Sequence, residues 1–181
     1  MATKGFGAPQ QPKKPRDKVP KDASTACVCG SGKAYQDCCR HYHDGTRFAP
    51  DPVALLRSRY SAYAYRLPDY IMATTHPDHE DYKPAKDKAG AKAWQQSLLN
   101  FCDAYTFQGL QPGALELEDD GAVAFLNFTA KVNALSQRLQ FVERSKFLCG
   151  GDGRWLYVSG DADFTPEVLL ESGQFADEDQ P

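Results

Sequence analysis

Four of the chain's six cysteines fall within one run of thirteen residues, Cys27-Val28-Cys29-Gly30-Ser31-Gly32-Lys33-Ala34-Tyr35-Gln36-Asp37-Cys38-Cys39. A stretch this short cannot build a core, so whatever its sulfurs bind must supply its folding energy. Neighbouring cysteines such as Cys38 and Cys39 form a disulfide only under strain. The basic N-terminus lacks the apolar segment of a signal peptide, which places the chain in a reducing compartment and predicts a cytoplasmic protein. Clustered thiols in that setting read as metal ligands. Four thiolates, Cys27, Cys29, Cys38 and Cys39, close a tetrahedral shell of the structural zinc type, with iron the other ion that sulfur ligation suits. Cys-x-Cys sets two sulfurs on one side of an extended chain. Gly30 and Gly32 let the backbone turn and aim N–H groups at them, and Lys33 to Asp37 form one helical turn that returns Cys38 and Cys39 to the ion. Lys33 and Arg40 offset the surplus negative charge. His41 and His43 are bystanders, because four sulfurs already complete the shell.

The remaining sequence suffices for one further domain. Of 181 residues 41% are hydrophobic, and the formal net charge of −3 gives no global case for nucleic acid. Charge is uneven, with six Lys and Arg in residues 1–22 and Asp177, Glu178 and Asp179 at the far end. The basic segment leaves nucleic acid as a weakly supported partner. No apolar run approaches the roughly 20 residues that span a bilayer, so no membrane insertion is expected.

Composition and periodicity divide the chain into a flexible basic tail (1–25), a metal knuckle (26–45), an α+β domain (50–160), and a short helix with an acidic tail (161–181). Asp51 caps a helix with Pro52 at its first position, and Val53, Leu56, Tyr60 and Tyr63 form one apolar stripe. Pro68 opens a second helix, Asp69 to Thr75, stopped by His76-Pro77. A surface loop, Asp78 to Gly90, precedes a third helix, Ala91 to Phe101. Strands follow at Ala104 to Leu110 and Ala114 to Glu118, either two strands or one bent near Gln111-Pro112-Gly113, then at Ala122 to Val132, Leu139 to Cys149 and Arg154 to Ser159. This order predicts helices packed on a curved antiparallel sheet. Cys102 and Cys149 carry no motif and read as buried thiols.

The cysteine run resembles the SEC-C motif found at the end of the SecA translocation ATPase, with Val28 where proline is usual. In SecA that module contacts the chaperone SecB, so the resemblance implies protein–protein contact without naming a partner. Ala54 to Tyr63, Ala73 to Pro77, Phe141 to Phe147 and Gly153 to Val158 are similar to the YchJ-like bacterial family. That resemblance implies a cone-shaped domain of the nuclear transport factor two-like fold behind the knuckle, and leaves its molecular function unassigned.

One further feature comes from strand parity. Between Leu139 and Cys149 the apolar residues Leu139, Phe141, Phe147 and Cys149 alternate with Gln140, Arg144 and Lys146, and Glu143 and Ser145 share the apolar face. An ionised Glu143 there needs a partner, for which Arg57 or Arg59 on the first long helix is the candidate. Two functions follow. In the first, a non-catalytic binding or adaptor protein contacts a protein partner through its zinc knuckle. In the second, a small-molecule binder or enzyme uses a pocket around Glu143, Ser145, Arg57, Arg59 and His76. A solvent-connected cavity favours the second, a filled core with an arginine–Glu143 ion pair the first.

Overall fold

A computed structural model describes residues 17–82, 87–134 and 137–163. Four helices precede four strands: α1 (Arg40–His43), α2 (Pro52–Tyr65), α3 (Pro68–Ala73), α4 (Lys88–Ala104), β1 (Thr106–Glu118), β2 (Val123–Ala134), β3 (Gln137–Cys149) and β4 (Trp155–Asp163). The strands form one antiparallel meander in the order β1-β2-β3-β4. None of the helices described is long and apolar enough to cross a membrane.

Helix α2 begins as its sequence dictates. The Asp51 carboxylate accepts the Ala54 N–H at 2.7 Å, and Pro52 occupies the first turn. Its burial departs from a single stripe, since Ser58, Arg59 and Ser61 are buried along with Leu55, Leu56 and Tyr60. The helix is the central post of the molecule, with the sheet on one side and the knuckle and α3 on others. Ser58 and Ser61 tolerate this burial by donating to the carbonyls of Leu55 and Ser58, 2.9 and 3.0 Å away. The helix stops at Tyr65 because Arg66 turns left-handed (φ 62°).

The helix expected over Ala91 to Phe101 is longer at both ends, because Asp87 caps it through the Gly90 N–H at 2.7 Å. β1 is continuous through Pro112, with register shifts at Phe107/Gly109 and Pro112/Leu115. β4 runs past Ser159 to Asp163, since β3 still offers Val142 and Glu143 as partners for Asp163 and Ala162.

Residues 17–25 differ from the expected tail. The Lys18 N–H donates to the Tyr65 carbonyl at 2.8 Å, its ammonium reaches Asp103 at 3.3 Å, and Val19 packs beside the knuckle. These contacts anchor a segment whose polar composition hides the apolar Val19. Residues 1–16 and the helix expected from Thr165 lie outside the described residues. Cys102 is buried in α4, whereas Cys149, where β3 leaves the core, is only half-buried.

Candidate metal centre and cone cavity

The knuckle is a miniature hairpin. Ala26 and Ala34 form an antiparallel bridge, and the Cys27 N–H donates to the Lys33 carbonyl at 2.8 Å. Gly30 and Gly32 turn the chain at φ 73° and 76°, a region that side chains disfavour. A single 3-10 turn, Tyr35–Asp37, then returns Cys38 and Cys39. The four sulfurs lie within 4.8 Å of one another, with Cys29 and Cys38 3.5 Å apart and Cys38 and Cys39 3.8 Å apart. A tetrahedral ion with metal–sulfur bonds of about 2.3 Å requires edges of about 3.8 Å. The cluster therefore fits a four-thiolate ion.

The electrostatics agree with that fit. Hydrogen bonds from the Cys27 and Cys39 thiols, then from Ser31, hold the Cys29 thiol far below its ordinary range. The same sharing pushes Cys27 up to about 11 and Cys39 up as well. A divalent cation would displace the shared protons. The Ser31 hydroxyl lies 3.1 Å from the Cys38 sulfur. Among the described residues a further cation reaches the knuckle backbone: Arg57 donates to the Cys29 carbonyl at 2.5 Å.

His43 lies outside the sulfur cluster. It bridges knuckle and post: Nδ1 accepts from the Tyr35 hydroxyl at 2.8 Å, and Nε2–H donates to the Ser58 carbonyl at 2.9 Å. Tyr65 completes the joint by accepting the Val28 N–H at 3.2 Å and packing edge-on against Tyr35. The knuckle is thus built onto α2. Sequence reasoning missed Tyr35, Tyr65 and His43 as its support, although the two tyrosines were visible as bulky residues flanking the cysteines and ending the helix.

On the other side of α2 lies a cavity of about 190 Å³ between helix and sheet. Leu56, Arg59, Tyr60 and Tyr63 line it from α2, and Phe128, Phe141, Glu143, Ser145, Phe147 and Tyr157 from β2, β3 and β4. The parity argument holds, for Glu143 and Ser145 face the cavity beside Phe147. Glu143 Oε1 accepts the Ser145 hydroxyl at 2.6 Å and the Tyr157 hydroxyl at 3.3 Å. Burial, followed by the charge of Glu143, pushes the Tyr157 hydroxyl far up, which keeps it a donor. Gly160 lies opposite Ser145, and a Cβ there would fall 2.0 Å from Glu143 Oε1, so the carboxylate occupies the space a side chain would fill.

No ion pair joins Glu143 to Arg57 or Arg59 among the described residues. Arg57 serves the knuckle. Arg59 donates through Nη1 to the Ile71 carbonyl and to the Thr74 and Thr75 hydroxyls at 2.8 to 3.1 Å, with its guanidinium 4.5 Å from the centre of the Tyr157 ring. His76 is not brought to the cavity; its N–H donates to the Tyr157 carbonyl at 2.7 Å, so it braces β4 from outside. Tyr157 was missed as a site residue, because a register shift between Lys146 and Phe147 sets which residues of β4 face inward.

A four-cysteine knuckle fused to a helix-backed antiparallel cone defines the class, a SEC-C motif joined to an NTF2-like domain. The SEC-C motif matches residues 24–40, and the YchJ middle NTF2-like domain matches residues 51–160. The chain belongs to the YchJ family, whose curated relatives carry the name UPF0225. A UPF0225 protein of Bordetella parapertussis is 34% identical over 80% of this chain and 98% of its own length, and one of Bordetella bronchiseptica 35% identical over 75% and 92%. The solution structure of a SEC-C motif containing protein from Rhodopseudomonas palustris superposes with a TM-score of 0.63 at 32% identity, covering 75% of this chain and 96% of that one. The crystal structure of a SEC-C motif containing protein from Psychrobacter arcticus gives 0.61 at 23% identity, covering 84% and 87%, and supports the fold alone.

Proposed function

We propose that this protein binds a small molecule in the cone cavity and uses its knuckle, loaded with zinc, as a structural clamp on helix α2. The observation that carries the reading is the cavity itself: aromatic walls around a carboxylate that forms no ion pair with an arginine among the described residues. Ligand sites are commonly concave and apolar with a few polar groups. A buried ion pair serving only to fix helix against sheet would instead have joined Glu143 to Arg59. Zinc suits the knuckle because its four sulfurs leave no open position and its packing against Tyr35 and Tyr65 suits a closed structural shell. Any ligand chemistry then belongs to the cone.

The test is titration of the metal-loaded protein with toluene, a ring that needs no polar contact, followed by methyl NMR. Shifts centred on the Leu56 and Ala162 methyls support cavity binding. Their absence at saturating toluene, or shifts confined to the knuckle, overturns it.

The reading of the knuckle as a contact surface for a protein partner draws on one observation. Its outer edge, Gly32, Lys33, Gln36 and Asp37, stays exposed while its inner edge packs on α2. A partner held by that edge would be released by Lys33→Glu with metal content unchanged. Equal retention by both proteins counts against contact through the knuckle.

A further inference from the structure

We infer that the cone cavity takes a single-ring aromatic molecule bearing an amine, with the amine directed to the unoccupied oxygen of Glu143. This rests on the reading that the cavity is the binding site and adds what it selects.

Size sets the first limit. A cavity of about 150 Å³ lined by apolar side chains holds benzene, so one of about 190 Å³ accepts one ring with a short substituent. The walls set the second. Phe128, Phe141 and Phe147 on the sheet and Tyr60 and Tyr63 on α2 offer ring faces and edges from opposite sides, which favours a flat aromatic body over a flexible chain.

The polar groups set the third. Glu143 Oε1 already accepts two hydroxyls, and among the described residues Oε2 accepts none. Glu143 is half-buried, and a charged N–H is the strongest donor available to its free oxygen. Arg59 lines the same cavity, but its bonded nitrogen is committed to three oxygens and its plane to the Tyr157 ring. The Tyr60 ring lines the same cavity from α2 and packs edge-on against Phe107.

Three probes separate this inference from the reading beneath it: toluene, benzylamine and benzoate, each titrated into the full-length, metal-loaded protein and followed at the Leu56 and Ala162 methyls. Benzylamine should bind at least tenfold tighter than toluene, with benzoate weakest. Glu143→Gln should collapse the benzylamine-to-toluene ratio toward one. The wild-type ratio alone is decisive should that variant fail to fold. Benzylamine no tighter than toluene, benzoate tightest, or a ratio unmoved by Glu143→Gln would overturn the amine assignment and leave the cavity as a binding site. Failure of all three probes to shift those methyls overturns both.

Discussion

Arg57 and Arg59 leave the same helix two residues apart and hold different parts of the molecule. Arg57 donates to the Cys29 carbonyl in the knuckle, and Arg59 to the Ile71 carbonyl and the Thr74 and Thr75 hydroxyls beside β4. Metal centre and cavity are therefore attached to one rigid element. Replacing Arg57 with Ala should destabilise the metal-loaded protein by about 2 kcal/mol, the scale of a hydrogen bond from a charged donor. It should also speed metal loss to a chelator. Urea unfolding and a metal-competition assay measure the two effects; a variant unchanged in both would mean that the bond does not couple helix to knuckle.

The knuckle makes a direct prediction about metal content. One divalent ion per chain is expected, and Cys29→Ser should lose it, because Cys29 is fully buried and at the centre of the thiol network. Cobalt in its place should give the visible absorption of a tetrahedral, thiolate-rich site. Structural zinc supplies on the order of 10 kcal/mol to small zinc peptides, so chelation should unfold the knuckle and strip its packing from Tyr65. Toluene binding in the cavity should weaken as well, since Tyr60 and Tyr63 stand on the same helix. Full cavity affinity in metal-free protein would show that α2 needs no clamp.

Much of this was legible in the sequence, for physical reasons that also mark the limit. The cysteine spacing carries its own chemistry, and Asp51-Pro52 is a local capping signal that tertiary packing reinforces. The placement of Glu143 on the inner face follows from the two-residue period of a strand, which the sheet cannot alter without a bulge. Where a bulge does occur, at the β3–β4 pairing, the inward role of Tyr157 was hidden. The choice between two arginines was left open for a related cause: Arg57 and Arg59 are two positions apart on a helix, about 200° around it, so one at most could face the cavity, and that one, Arg59, bonds Ile71, Thr74 and Thr75 rather than Glu143. Which faced the sheet depended on where the knuckle docked, and the motif says nothing about docking.

The close approach of Gly160 and Glu143 is testable by substitution. Gly160→Ala places a Cβ 2.0 Å from Oε1 and 2.7 Å from the Tyr157 hydroxyl. Part of the clash is relieved by moving the carboxylate, so a cost of about 1–3 kcal/mol is expected, the range for overpacking. The Glu143→Ala, Gly160→Ala double variant should recover most of that cost as a favourable coupling in a double-mutant cycle. Additive losses would show that the carboxylate does not sit over Gly160.

Stability should also depend on pH through His79. Burial between Trp94 and Tyr157, with the Arg59 charge adding to it, lowers its pKa below 6.5 despite the opposing pull of Asp81 and Glu80. The neutral ring is also the form whose Nδ1 accepts the Asp81 N–H at 3.1 Å. A group with a depressed folded pKa binds more protons when unfolded, so its stabilisation is complete above 6.5. As pH falls from 6.5 toward the folded value, that stabilisation is lost. His43, lowered chiefly by burial, contributes a parallel loss. His79→Gln should therefore reduce the drop in unfolding free energy between pH 7.5 and pH 5 without abolishing it, measured by urea titration at each pH. A wild-type drop that His79→Gln leaves whole would assign the entire effect to His43 and the carboxylates.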